Sequence, residues 1–364
     1  MSNATKVLNV DRPFDLYRGG RLARMDIAYE TLGKLNTAKD NAVLVFTGLS
    51  PSAHIASNAD DPGAGWWEDM VGAEHPIDTQ RFFVICVNSL GSCFGSTGPA
   101  SWNPGIGRPY RTDFPLLSIE DIAVAADTVV EALGIRRIAA VVGPSMGGMT
   151  ALAYTLAFPG KVRNLVSISS AARALPFAIA IRSLQREIIR SDTEWQGGHY
   201  EGVGPLRGMR LARKLGMMSY RSPAEWKMRF GRERVSEERR AGEQFGIEFE
   251  VESYLDAHAN KFVGGFDPNC YLYLSRAMDL FDAADHGGSL DVAFSRIESE
   301  KALVIGVESD FLFPLEQQRE LAGHLESRVG TLSFSELPSI HGHDSFLVDM
   351  DRFRPVVAEF FAGI

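Results

Sequence analysis

The chain has 364 residues, 45% hydrophobic and 23% charged, which is ordinary for a soluble globular protein and long enough to bury a large core without disulfide or metal staples. A net charge of −9, spread along the chain with no basic face, excludes a general nucleic-acid binder, and three scattered cysteines read as reduced thiols rather than a disulfide framework or zinc site. No run approaches the ~18 apolar residues of a membrane helix and the N-terminus lacks a secretory pattern, so a cytoplasmic protein without membrane or nucleic-acid partners is expected.

In chain order, Phe14–Leu32 alternates and carries Gly19-Gly20, which predicts an antiparallel hairpin at a sheet edge. Compact apolar runs predict buried strands at Ala42–Thr47, Phe82–Asn88, Ile138–Gly143 and Leu165–Ser169. Ile119–Leu133 has helical spacing, with Ile122, Ala126, Val129, Val130 and Leu133 on one stripe, and Thr150–Ala157 leaves a glycine turn as a second helix. From about Ala172 to Arg296 apolar and charged residues mix at helical spacing, with many arginines and aromatics and no convincing buried strand. The polar run Arg232–Glu243 within it reads as a solvated helix or loop. Strand character returns at Ala302–Val307 and again at Thr331–Glu336. The alternation specifies an α/β fold: a mostly parallel sheet flanked by helices, formed by residues 1–172 and 297–364 and interrupted by a helical insertion over 173–296.

The strand Ile138–Gly143 runs into Gly143-Pro144-Ser145-Met146-Gly147-Gly148 and then a helix, which is G-x-S-x-G between a strand and a helix. So tight a bend needs small residues two positions either side of the serine, and it thrusts the hydroxyl out at the carboxyl end of the sheet. The helix behind it aims amide N–H groups and its positive dipole end at the same point. Ser145 is therefore the candidate nucleophile. A serine hydroxyl needs a base, and with such an elbow the acid and then the histidine follow in the chain. The acid candidates are Asp310, just past the strand Ala302–Val307, with Glu308 and Asp344 as rivals; the base is His341 or His343, in the glycine-containing loop before the last helix. The backbone N–H groups of Met146 and of Leu49, in Thr47-Gly48-Leu49-Ser50-Pro51, are the candidate oxyanion donors. With no H-E-x-x-H or similar pair, no metal is expected.

These blocks resemble the homoserine O-acetyltransferase group of α/β-hydrolase-fold acyltransferases over nearly the whole chain, Tyr29 to Phe361. The resemblance is carried by Thr47-Gly48-Leu49 with Ala53-His54, Asn88 to Pro99, Gly143 to Met149, Leu211 to Tyr220, Asp310 to Pro314 with Gln317, and Gly342 to Leu347. It implies a helical lid and a two-step, ping-pong transfer from acyl-coenzyme A through Ser145 to the hydroxyl of a small amino acid, with His343 as base and Asp310 holding its ring. No permanently bound cofactor is implied. It maps an amino-acid clamp onto Arg213, Tyr220 and Asp344, a guanidinium for the carboxylate and a carboxylate for the ammonium. It also implies a homodimer whose insertions pair.

The first loop departs from the Leu-Thr-Gly usual in acetylating homoserine enzymes. With Gly65-Trp66-Trp67, Asn88 to Ser92 and Asp267 to Tyr271, it is closer to the serine O-succinyltransferase branch. A succinyl donor has a second carboxylate, for which Arg173, Arg182 and Arg186 are the candidate cations. Acetyl transfer, and homoserine as acceptor, stand as alternatives, because one methylene is worth only about 1–3 kcal/mol. The remaining readings are a serine hydrolase that uses water and a non-catalytic scaffold.

Overall fold

The computed structural model describes residues 2–240, 242 and 244–364. Eight strands form one sheet: β1 (Lys6–Val10), β2 (Met25–Leu32), β3 (Ala42–Phe46), β4 (Phe83–Val87), β5 (Ala140–Pro144), β6 (Asn164–Ile168), β7 (Lys301–Val307) and β8 (Thr331–Leu337), in the spatial order β1-β2-β4-β3-β5-β6-β7-β8. Pairing is antiparallel for β1 with β2 and β2 with β4 and parallel everywhere else. Strands β3, β5 and β6 are buried along their whole length, as continuous apolar runs between helical layers must be. Side chains alternate: Leu44 and Phe46 enter one core, Val43 and Val45 the other.

Helices α1 (Ile119–Ala132) and α2 (Met146–Ala157) cover the first face, and α10 (Met350–Ala362) covers the second. Helix α1 starts where it does because Ser118 and Asp121 form a capping box that satisfies the first amides. Helix α9 (Leu315–Glu326) lies between β7 and β8.

The N-terminal edge differs from expectation. The Gly19-Gly20 turn joins only Phe14–Asp15 to Arg21–Leu22, a ribbon apart from the sheet, and the edge strand is Lys6–Val10, pairing with β2 from outside the expected hairpin. Half-exposed and mixed in character, β1 carries no compact apolar run to announce it.

Between β6 and β7 the chain is helical: α3 (Pro176–Ser191), α4 (Leu206–Tyr220), α5 (Pro223–Phe230), α6 (Glu250–Phe262), α7 (Pro268–Leu280) and α8 (Leu290–Phe294). The chain leaves and re-enters at one place, where Arg173 bridges Asp282 and the Ala283 N–H donates to the Ala172 carbonyl at 2.9 Å. Helices α3, α4, α6 and α7 pack on one another, whereas α8 packs against α9. The polar run Arg232–Glu243 holds a short 3-10 turn, Glu237–Arg239; its residues Ala241 and Glu243 lie outside the described residues. Among the described residues, no helix is long and apolar enough to cross a membrane.

Candidate active site

At the end of β5 the backbone turns through Ser145 with φ 56° and ψ −124°, a conformation that side chains tolerate only when the surroundings impose it. The glycines permit the turn. A Cβ on Gly143 would lie 2.0 Å from the Gly147 carbonyl oxygen, and one on Gly147 would lie 2.4 Å from that of Phe46. The hydroxyl of Ser145 is thereby presented at the carboxyl edge of the sheet, at the N-terminus of α2.

The loop after β8 brings His343 to it. His343 Nε2 lies 2.7 Å from Ser145 Oγ, and Nδ1 lies 2.7 Å from Asp310 Oδ2. The other Asp310 oxygen accepts from the Leu312 and Phe313 amides, both at 2.9 Å, which locks the carboxylate after β7. The imidazole stacks on Phe313 with centroids 5.1 Å apart and meets the edge of Phe346. Burial alone would lower its pKa, but the charge and hydrogen bond of Asp310 outweigh burial and raise it above the ordinary 6.5. Of the rivals, Glu308 is exposed at the strand end, and His341 lies beside Glu225 instead. Among the described residues the N–H groups of Leu49 and Met146 donate to no protein acceptor, which leaves both available to an oxyanion.

The serine opens into a pocket of about 170 Å³ that also contains Leu49, Arg182, Arg213, Tyr220, His343 and Asp344. A cavity of ~150 Å³ accommodates a benzene-sized molecule, so this space suits a small acyl group or amino acid but not a nucleotide. The candidate clamp residues arrive from separate elements. Arg213 and Tyr220 come from α4, with the guanidinium 5.8 Å from the Tyr220 ring and 4.5 Å from that of Phe262. The Nε of Arg213 is buried without a protein partner. Asp344 follows the histidine and accepts from Arg221 Nε at 3.1 Å. Burial raises its pKa against the lowering pull of Arg221, His343 and Arg213. Burial also raises the Tyr220 phenol, which stays protonated as a donor.

The three candidate cations for an acyl carboxylate separate. Arg182 lines the pocket. Arg186, one turn further along α3, does not: its Nη1 donates to Ser275 Oγ at 2.9 Å and its Nη2 pairs with Asp279 at 2.7 Å, so both ends are spent bracing α3 against α7. Arg173 is also outside, because its guanidinium pairs with Glu320 of α9 at 2.6 Å where the chain leaves the sheet.

Several residues escaped sequence reading. Arg221 joins Asp344 to Glu225, donating to the latter at 2.7 Å, and so fixes the Asp344 carboxylate. Trp66 and Gln185 line the pocket. A signal existed for Gln185, which lies three residues from Arg182 on the same helical face; Arg221, at a helix end, offered none.

A family profile described as the alpha/beta hydrolase fold matches residues 41–349. A serine O-succinyltransferase of Litchfieldella anticariensis is 56% identical over 364 residues, spanning 100% of this chain and 99% of its own. An L-serine/homoserine O-acetyltransferase of Streptomyces lavendulae is 58% identical over 364 residues, spanning 99% of this chain and 97% of its own. The chain belongs to the α/β-hydrolase-fold O-acyltransferases. The crystal structure of a homoserine O-acetyltransferase from Bacillus anthracis superposes on this acyltransferase with a TM-score of 0.90 at 27% identity, covering 98% of this chain and 97% of its own. Similarity that extends over the full length takes in the insertion and the His343 loop of this acyltransferase as well as its elbow.

Proposed function

We propose that the protein is an L-serine O-acyltransferase that takes its acyl group from an acyl-coenzyme A and works in two steps through Ser145. The carrying observation is the hydrogen-bonded array Ser145–His343–Asp310 opening on a pocket with a guanidinium at Arg213 and a carboxylate at Asp344. In the first step His343 Nε2 takes the Ser145 proton as Oγ attacks the thioester carbonyl. The oxyanion is held by the Leu49 and Met146 amides, and collapse breaks the C–S bond. The proton on His343 passes to the departing sulfur, which leaves as free coenzyme A. In the second step the acceptor hydroxyl gives its proton to His343 and attacks the Ser145 ester; collapse returns that proton to Ser145.

Arg213 would hold the acceptor carboxylate, Tyr220 would donate a hydrogen bond beside it, and Asp344 would take the ammonium. Water needs none of these charges, which favours transfer over hydrolysis. The 56% identical serine O-succinyltransferase supports succinyl as the donor group, and the 58% identical enzyme supports acetyl and homoserine as the alternatives. The insertion over 173–296 would act as the lid, its helices α3 to α7 departing from and returning to the sheet across the Arg173–Asp282 bridge. Exposed Met218, Met228 and Phe245 suit the pairing of two insertions in a homodimer. Reliance on soluble acyl-coenzyme A suits the cytoplasm.

The test is a matrix of acetyl- and succinyl-coenzyme A against L-serine and L-homoserine, following thiol release. Release should require an amino acid and vanish in Ser145→Ala. Arg213→Ala should raise the KM for the amino acid about 10- to 100-fold with far less effect on the donor, from the loss of a charge-assisted pair. Full-rate release without acceptor would identify a hydrolase, and transfer by Ser145→Ala would demand another nucleophile.

A further inference from the structure

We propose that His54 is a positioning residue for the acylation step: an imidazolium held between the buried Glu30 carboxylate and the Gly63 carbonyl, it fixes the far end of the loop that carries the Leu49 oxyanion donor. This deepens the acyl-transfer reading above and rests on it.

His54 belongs to the Ala53-His54 block, and neither the triad nor the candidate clamp uses it. Both of its ring nitrogens face acceptors: Nδ1 lies 2.9 Å from Glu30 Oε2, and Nε2 lies 2.8 Å from the Gly63 carbonyl oxygen. A neutral imidazole has one N–H and would turn a lone pair on one of the two, so the ring that satisfies both carries two hydrogens and a positive charge. Glu30, on β2, is fully buried, and its other oxygen accepts from Thr5 Oγ1 at 2.8 Å. It pairs with no other cation among the described residues, and loss of that partner would leave a buried charge uncompensated. The other charged groups that face the ring are acidic as well: Asp61, in the turn before Gly63, and Glu68, beyond it. Burial opposes the charged ring, but the Gly63 carbonyl and the Glu30 carboxylate outweigh it and raise the His54 pKa above the ordinary 6.5.

The loop after β3 needs such an anchor. Residues 48–53 make no backbone–backbone hydrogen bond among the described residues, so nothing within the loop fixes the Leu49 N–H. Ties to the rest of the protein do so instead. Thr47 Oγ1 lies 3.3 Å from Ser89 Oγ at the start of the loop, and Asn88 Nδ2 donates to the Pro51 carbonyl at 3.3 Å in its middle. At its end His54 grips both β2 and the Gly63 turn. The first two ties are long and join neutral groups, whereas the third is charge-assisted. The His54 carbonyl also accepts from the Trp66 N–H at 3.2 Å, which ties the same clamp to a wall of the pocket. An oxyanion donor acts only if it already points to where charge will develop, and a displacement of about 1 Å forfeits much of its worth. Loss of the His54 proton opens the clamp and leaves Glu30 unpaired, so acylation slows as pH rises through the His54 pKa.

The experiment follows the burst of thiol when the enzyme meets whichever of acetyl- and succinyl-coenzyme A reacts faster, without amino acid, so that an acceptor ammonium cannot shape the pH profile. The single-turnover rate constant reports each active site, whereas the burst amplitude counts folded enzyme; a purely structural defect lowers only the amplitude. For the native enzyme the rate constant should show an acid limb from His343 and an alkaline limb from His54. Glu30→Gln keeps the shape but removes the charge, and should move the alkaline limb to lower pH with the acid limb in place. His54→Gln should abolish the alkaline limb and slow acylation about 10- to 100-fold, with the half-saturating donor concentration nearly unchanged, because the donor is used in the transition state. An alkaline limb unmoved in Glu30→Gln, or a native rate constant in His54→Gln, would overturn the assignment. So would nitrogen resonances of the native His54 ring that show a single N–H on the plateau between the limbs, a result that needs no variant kinetics. No burst from either donor would remove the acyl-transfer reading and this inference with it, whereas a native burst indifferent to both variants removes the inference alone.

Discussion

The elbow around Ser145 and the helix α3 both face the same pocket, yet they are packed by opposite rules. In the elbow, β5 and α2 bury apolar and glycine residues almost without exception, and the hydroxyl protrudes because nothing larger than hydrogen fits at Gly143 and Gly147. In α3 the buried face is Ala178, Arg182, Gln185, Arg186 and Ile189, while Phe177 and Leu184 point outward at 57% and 47% exposure. The sheet region is arranged by removal of apolar surface from water. Helix α3 instead turns its polar groups inward, where Asp279, Ser275 and the Ala212 carbonyl wait for them. Desolvating such groups costs stability that a leucine would not, and on the proposed reading the return is recognition of charged ligands.

The largest effect belongs to the core side of this contrast, at a single atom. Asp310→Asn keeps the shape of the site but removes the charge that opposes burial of His343 and favours the wrong tautomer. The rate should fall by about 10⁴-fold, the scale of the corresponding change in another serine triad. The pH profile gives the sign. The base must be neutral to accept the Ser145 proton, so activity rises with pH through the histidine pKa. Asp310 raises that value above 6.5, which places the acid limb there in the native enzyme. Without the charge only Asp344 still opposes burial, and the limb should move to lower pH. An acid limb left in place would show that Asp310 does not set the ionisation of His343.

Next comes Gly147→Ala, which leaves the chemistry untouched. Its Cβ would press on the backbone oxygens of Phe46 at 2.4 Å and of Thr47 at 3.0 Å, and neither can move as a side-chain end could. A destabilisation of at least about 3 kcal/mol is expected in denaturant unfolding, with activity lost as β3 and α2 part. An unfolding midpoint equal to that of the parent would mean that this contact yields.

The same contrast explains what could be read in the chain. Strands β3 to β7 were legible because each is a compact apolar run, β8 because its apolar residues alternate with polar ones, and the elbow because its glycines have a steric cause. His343 and Asp310 were legible as strand-end candidates, although choosing His343 over His341 needed the family resemblance. The insertion was legible only as helices. Arginines on α3 could be offered only as undifferentiated candidate cations, because a helix exposes its charges by default. No periodicity distinguishes Arg182, which faces the pocket, from Arg186, which braces α7, since the two lie one turn apart on one face. Arg173 failed as a candidate for a tertiary reason, the arrival of Glu320 from a helix more than a hundred residues away in the chain. The edge strand β1 was missed because its half-exposed side chains carry no pattern.

The smallest expected effects test the inversion itself, on neighbouring residues of α3. Leu184→Ser removes an apolar side chain that is 47% exposed and should change stability by less than about 0.5 kcal/mol. Gln185→Leu adds apolar surface to a helix but removes the bond from Gln185 Nε2 to the Ala212 carbonyl, 3.0 Å long, which ties α3 to α4. It should cost about 1–2 kcal/mol. By the rule that governs β3 or β5 the order would be reversed, with the leucine indispensable and the glutamine better replaced. Denaturant melts of the two variants therefore decide whether α3 obeys the pocket or the core. A costlier loss at Leu184 than at Gln185 would mean that its apolar face is covered in solution and its polar face is not what holds it.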